Sequence, residues 1–296
     1  MNDVGERKVV LVTGASAGLG AEVARVLAER GDHLVLTARR SERLQRIATE
    51  AETLGQGGES LVIAADLDDP TTPGLLVEKT LDRFGRLDVL VNNAGFGLPT
   101  LFADGDPEAL RRQLAVNLVA PMLLARMAIP ALLETRGTII NVGSAISCLA
   151  NPALGAYGAT KAGLAYWNNA LRRELWHKGV TVCLVEPGPV RTEFFHALVS
   201  QSATREYHPM LDAPSEWMTA EVNQVARRIV GLIDRPRRRL SVTRRFVWPW
   251  RATGTLLEVI PALGDLAVSW ILRTQEKKGP SRRPSAESLN HASRVD

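Results

Sequence analysis

The stretch from Lys8 to Arg30 constrains this chain more than any other. Lys8-Val-Val-Leu-Val-Thr13 is a short apolar run rich in β-branched residues, the pattern of a strand buried on both faces of a parallel sheet. It passes directly into Gly14-Ala-Ser-Ala-Gly18-Leu-Gly20, and then into a segment where Val23, Val26 and Leu27 recur at helical spacing. Parallel strands are joined through crossovers, so a domain built on this unit is expected to alternate strand and helix. A glycine-rich turn between strand and helix also lets backbone approach a bound pyrophosphate, and the helix N-terminus offers free N–H groups and a positive dipole end. The same turn without a ligand is the alternative.

The rest of the chain carries that rhythm on. Strands are predicted at 9–13, 33–38, 60–64, 89–92, 137–142 and 181–186, with helices at 42–54, 75–84, 107–133 and 156–176. This predicts an α/β fold, a doubly wound parallel sheet flanked by helices with right-handed crossovers. Ligands then bind beyond the carboxyl ends of the strands. At 296 residues, 45% hydrophobic and 23% charged, the chain is long enough for one large domain. Cys148 and Cys183 lie in apolar segments and read as packing residues of a reduced compartment, not a disulfide framework. Five scattered histidines without a Cys-x-x-Cys pair argue against a metal site. Residues 1–7 are short and polar, with no secretory signal pattern, so a cytoplasmic location is expected.

Tyr157 and Lys161 stand four apart in Tyr-Gly-Ala-Thr-Lys, which puts them on one face of a helix. A phenol ordinarily loses its proton near pH 10, and a neighbouring cation favours the phenolate. Two unit charges about 4 Å apart attract by about 4 kcal/mol at an effective dielectric of about 20. An attraction of that order brings the phenol toward the range of acid–base catalysis. Neighbours on a solvated helix face are the plain alternative.

Several segments now combine. Thr13-Gly14-x-x-x-Gly18-x-Gly20, Asn92-Asn93-Ala94-Gly95, then Asn117, Ser144, Tyr157 and Lys161 in order, and Pro187-Gly188 followed by Thr192, together resemble the short-chain dehydrogenase/reductase family over roughly residues 7–235. The resemblance implies a Rossmann-type catalytic domain at 1–235 and hydride transfer between a nicotinamide cofactor and a ketone or secondary alcohol. It implies that Tyr157 gives its proton to the carbonyl oxygen and that Lys161 lowers the Tyr157 pKa and binds the nicotinamide ribose. Ser144 would hydrogen-bond the carbonyl oxygen, with Ser147 as a competitor, and Asn117 would hold a water linking Lys161 to solvent. Ser144 and Asn117 as ordinary turn or cap residues are the alternatives. For the cofactor, the resemblance implies Gly14, Ser16, Ala17, Gly18, Leu19 and Gly20 at the pyrophosphate turn, and Asp66 and Leu67 at the adenine. Asn93, Ala94 and Gly95 would lie beside the adenosine ribose. Pro187, Gly188 and Val190 would shape the nicotinamide pocket, with Thr192 bonding the carboxamide. Asp66 also reads as a cap for the segment after it, and Asn92 as a tie between neighbouring strands.

The end of the second predicted strand bears on cofactor choice. Dinucleotide sites selective for NAD carry an acidic residue there for the ribose 2′-hydroxyl, whereas this chain reads Ala38-Arg39-Arg40. Arg39, with Arg40 beside it, suits a 2′-phosphate, which points to NADP(H) over NAD(H). Solvated loop arginines are the alternative.

Residues 193–217 would close over substrate; Phe194, Phe195, Tyr207, Met210 and Trp217 suggest a hydrophobic one, or simply a lid packed on the core. Residues 236–276 form a basic and apolar extension, expected to be partly helical. It is interrupted by Glu258, Pro261 and Asp265, so it does not read as a membrane span. It would pack on the domain, on a neighbouring subunit of a homodimer or homotetramer, or peripherally on an anionic membrane surface. Residues 277–296 read as a disordered tail. The net charge of +4 is concentrated in C-terminal arginines without a nucleic-acid motif, so no nucleic-acid partner is expected. The leading expectation is an NADPH-dependent reductase of a lipid, steroid or acyl-like ketone. An oxidative alcohol dehydrogenase acting on a lipid or sugar alcohol, or a non-catalytic NADP(H)-binding regulatory protein, are the alternatives.

Overall fold

The computed structural model describes residues 7–54, 57–148, 150–194, 219–242, 252–253 and 255–256. Most of the expected lid (195–217) and most of the C-terminal extension and tail lie outside the described residues. The chain alternates as expected: β1 (Val9–Thr13), α1 (Gly18–Glu29), β2 (His33–Ala38), α2 (Ser41–Leu54), β3 (Ser60–Ala64), α3 (Thr72–Phe84) and β4 (Val89–Asn92). There follow α4 (Pro107–Leu114), a π-helical turn (Ala115–Val119), α5 (Ala120–Thr135), β5 (Thr138–Val142), α6 (Gly155–Leu175), β6 (Thr181–Glu186), α7 (Val222–Asp234) and β7 (Arg239–Ser241).

The strands form one parallel sheet in the order β3-β2-β1-β4-β5-β6-β7. Alternate residues of β1 serve opposite faces. Val10 and Val12 pack with Val23, Leu27, Val225 and Ile229 from α1 and α7. Val9 and Leu11 pack with Leu76, Leu124, Ala128 and Leu171 from α3, α5 and α6. The sheet is therefore covered on both sides, which is why its strands read as continuous apolar runs.

Two expectations need correction. The sheet does not end with the strand at 181–186: Leu184 to Glu186 pair with Arg239 to Ser241, so the domain boundary expected at 235 falls before its last strand. Three residues flanked by Arg-Pro-Arg-Arg carry too little apolar pattern to read as a strand; the exposed edge of β6 supplies the pairing. The helix expected at 107–133 is also not continuous. Ala120 N–H bonds the carbonyl of Ala115, five residues back. Pro121 has no N–H to offer the carbonyl of Asn117, and its ring crowds that carbonyl. The helix widens by one residue there, and Asn117 is the buried polar side chain in the widened turn.

Candidate active site

The order of the strands reverses between β1 and β4, the crevice where open α/β sheets bind ligands. The C-terminal ends of these two strands are stitched together by Thr13. Its hydroxyl donates to the Val91 carbonyl at 3.3 Å and accepts from the Asn93 and Ala94 N–H groups at 3.0 Å each. The Asn93 amide donates back to the Thr13 carbonyl at 2.9 Å. The glycine turn and the Asn93-Ala94-Gly95 loop thus form one wall.

That wall needs glycine. Gly18 has φ +53°, and a side chain on Gly20 would place its Cβ 2.3 Å from the Gly14 carbonyl oxygen and 2.5 Å from Asn93 Nδ2. Helix α1 begins after an extended Ala17, and no side chain caps its first N–H groups or adds negative charge to its first turn. These residues fit a dinucleotide: bare backbone and an uncapped helix N-terminus are what an anionic pyrophosphate takes. Ser16 is half-buried, with its hydroxyl 3.5 Å from Arg40 Nη2. Leu19 packs on the core beneath the turn.

At the end of β2 the sequence reading put Arg39 first. In the structure Arg39 is exposed, and the half-buried Arg40 reaches the Ser16 hydroxyl of the glycine turn. Asp66, at the end of β3, holds a turn and not the cap of the next helix, which begins at Thr72: Oδ1 accepts from Asp68 N–H at 3.1 Å and Oδ2 pairs with Arg112 at 2.8 Å. Leu67 packs on the core formed with α3, α5 and α6. As expected, Asn92 ties β4 to β5, donating to Asn141 Oδ1 at 2.8 Å; Asn141 in turn donates to Asn168 Oδ1 at 2.9 Å. This buried ladder locks α6 onto the sheet. The sequence reading missed Asn141 and Asn168; polar residues inside the strand 138–142 and at a buried position of α6 were the signal.

Helix α6 presents Tyr157 and Lys161 toward the end of β5, both buried. Lys161 Nζ donates to the Val142 carbonyl at 2.9 Å and lies 5.9 Å from the centre of the Tyr157 ring. Ser144, two residues beyond that carbonyl, hydrogen-bonds the Tyr157 side chain; its own turn is held by Ala145 N–H on the Pro187 carbonyl at 2.9 Å. Asn117 grips Phe96 twice, accepting from its N–H at 2.9 Å and donating to its carbonyl at 2.8 Å, and donates to Thr160 Oγ1 at 3.2 Å. Thr160, unnoticed in the sequence, returns a bond to the Tyr157 carbonyl at 2.7 Å. On the far side Pro187 and Val190 are buried, Gly188 is half-buried, and the Thr192 hydroxyl donates to the Val190 carbonyl at 3.3 Å. Cys183 is buried and Cys148 half-buried, neither in a disulfide; the Cys148 thiol donates to the Ala145 carbonyl at 3.0 Å.

The electrostatics correct one expectation. Burial pushes the Tyr157 phenol up to about 12, with only the Ser144 hydrogen bond opposing it, and burial pushes Lys161 down to about 8. Lys161 therefore does not by itself bring the phenol into the neutral range. Desolvation, which disfavours each charged form, is the largest cause of both shifts.

The sequence pattern described as short chain dehydrogenase matches residues 8–203. The chain belongs to the short-chain dehydrogenase/reductase family, and it is an oxidoreductase acting on CH–OH donors. It is 34% identical over 194 residues to the 3-oxoacyl-[acyl-carrier-protein] reductase of Escherichia coli strain K12, covering 65% of this chain and 78% of the relative. It is 36% identical to 11-beta-hydroxysteroid dehydrogenase A of Sesamum indicum, covering 63% of this chain and 53% of that longer protein. Among solved structures, a metagenomic short-chain oxidoreductase in complex with NADP superposes with a TM-score of 0.65 at 32% identity, covering 79% of this chain and 96% of the other.

Proposed function

We propose that this protein is an NADPH-dependent carbonyl reductase that uses Tyr157 as general acid on a hydrophobic ketone. The observation that carries the reading is the cluster at the end of β5 of half-buried Ser144 with buried Tyr157 and Lys161, whose Nζ lies against Gly95 of the Asn93-Ala94-Gly95 loop. When bound, NADPH supplies the hydride. Tyr157 Oη holds the proton for the carbonyl oxygen, and burial, which pushes the phenol up to about 12, keeps it in the protonated form that a general acid needs at neutral pH. The Ser144 hydroxyl steadies the charge that develops on that oxygen. Lys161 is fixed by the Val142 carbonyl where it can bind ribose hydroxyls and return a proton to Tyr157. Asn117, braced by Phe96 and Thr160, keeps the loop at 95–96 and α6 in register.

Arg40 beside Ser16, with no acid at Ala38, supports a 2′-phosphate and hence NADP(H), as does the NADP carried by the structural relative. Phe194 stands over Tyr157, ring centres 5.9 Å apart, and supports an apolar substrate. The acyl and steroid substrates in the names of the two relatives agree. A homodimer or homotetramer in the cytoplasm completes the reading; Val119 in the π-helical turn, Met122 and Met127 on α5 and Tyr166 on α6 are exposed apolar residues available to such a contact. The test is NADPH oxidation across small, aromatic, steroidal and fatty-acyl ketones. Turnover confined to bulky apolar ketones and lost in Tyr157→Phe is expected. Turnover by Tyr157→Phe at the full rate refutes the mechanism.

A further inference from the structure

Three consecutive side chains after the Pro187 loop form a strap across the site. Thr192 leans on the glycine turn, its Cβ 3.3 Å from where a Cβ on Gly18 would stand. Phe194 covers Tyr157. Between them Glu193 crosses to the arginines at the start of α2: both carboxylate oxygens accept from Arg43 Nη1, at 3.0 and 2.8 Å. Glu193 Oε2 also lies 3.6 Å from Arg40 Nη2, the same nitrogen that is 3.5 Å from the Ser16 hydroxyl. One guanidinium edge is thus shared between the glycine turn and the carboxylate of the strap.

We propose that Glu193 is a cofactor-selecting residue: it holds Arg40 and Arg43 until a 2′-phosphate takes Arg40, so that binding the phosphate loosens the strap over Tyr157. The proposal rests on the NADP(H) reading of Arg40 given above. A phosphate monoester carries about −1.5 to −2 charges at neutral pH and forms forked hydrogen bonds with arginine, so it outcompetes a single carboxylate for Arg40. Glu193 then stays with Arg43 alone, close to a like charge. Because Glu193 and Arg43 are well exposed, with 63% and 36% of their side chains accessible, screening keeps the effect small. The expected penalty on the phosphate is about two- to fivefold in affinity, and a ligand without the 2′-phosphate escapes it.

The experiment is calorimetric titration of the full chain with 2′,5′-ADP and, separately, with 5′-AMP, which lacks only the 2′-phosphate. Wild type is expected to bind 2′,5′-ADP more tightly. Glu193→Gln is expected to tighten 2′,5′-ADP about two- to fivefold and leave 5′-AMP unchanged. Raising sodium chloride to about 0.5 M should shrink that gain, and Arg40→Ala should remove it. An unchanged or weaker affinity for 2′,5′-ADP in Glu193→Gln, or an equal gain for both ligands, overturns the role of Glu193 while leaving the NADP(H) reading in place. A wild type that binds 2′,5′-ADP no tighter than 5′-AMP ends that reading and this proposal together.

Discussion

Replacing Lys161 with methionine is expected to stabilise the cofactor-free protein at neutral pH while destroying its activity. Burial lowers the ammonium pKa from 10.5 to about 8. Between those values the unfolded chain holds a proton that the folded chain has released, so wild-type stability rises with pH across the window. The stabilisation is complete above about 10.5 and is lost as pH falls through about 8. At about 1.4 kcal/mol per pH unit, the folded protein at pH 7 carries a burden of about 3 kcal/mol that methionine lacks. Methionine forfeits the hydrogen bond to the Val142 carbonyl, worth about 1–2 kcal/mol. The variant should therefore be more stable by about 1–2 kcal/mol at pH 7. By about pH 10 the sign reverses, because neutral lysine keeps its hydrogen bond. Urea unfolding of both proteins at several pH values between 7 and 10 measures this, and the difference between the curves cancels the groups the two share. A variant destabilised equally at every pH would refute the claim that Lys161 is held against a desolvation penalty.

Tyr157→Phe should abolish turnover yet leave NADPH affinity, read by fluorescence titration, within about twofold, since it deletes one hydroxyl at a buried position. Arg40→Ala should weaken NADPH about tenfold or more, the size of a charge-assisted hydrogen bond, with NADH little changed; Arg39→Ala, at an exposed site, should do less. If Arg39→Ala erases the preference and Arg40→Ala does not, the assignment from the geometry is reversed. Gly20→Ala should destabilise the fold by about 1–3 kcal/mol and block cofactor binding, because its Cβ would meet the Gly14 carbonyl at 2.3 Å. A thermal melt unchanged from wild type would contradict that contact.

Local patterns carried much of this protein into view. Continuous apolar runs such as Val9–Thr13 and Thr181–Glu186 are legible because a strand covered on both faces has no polar side to vary. The glycine turn and the pair Tyr157 and Lys161 are legible because their chemistry needs residues at short, fixed spacings along one element. What depended on neighbours distant in the chain was not legible. β7 exists because β6 offers an open edge, and Asn117 occupies its place because Pro121 denies its carbonyl a helical partner within a packed helix. The approach of Arg40 to Ser16 across the turn came from the tertiary structure. The Tyr157 phenol went up instead of down for the same reason: a sequence shows that a cation stands nearby, and only the tertiary structure shows how much water has been taken from both.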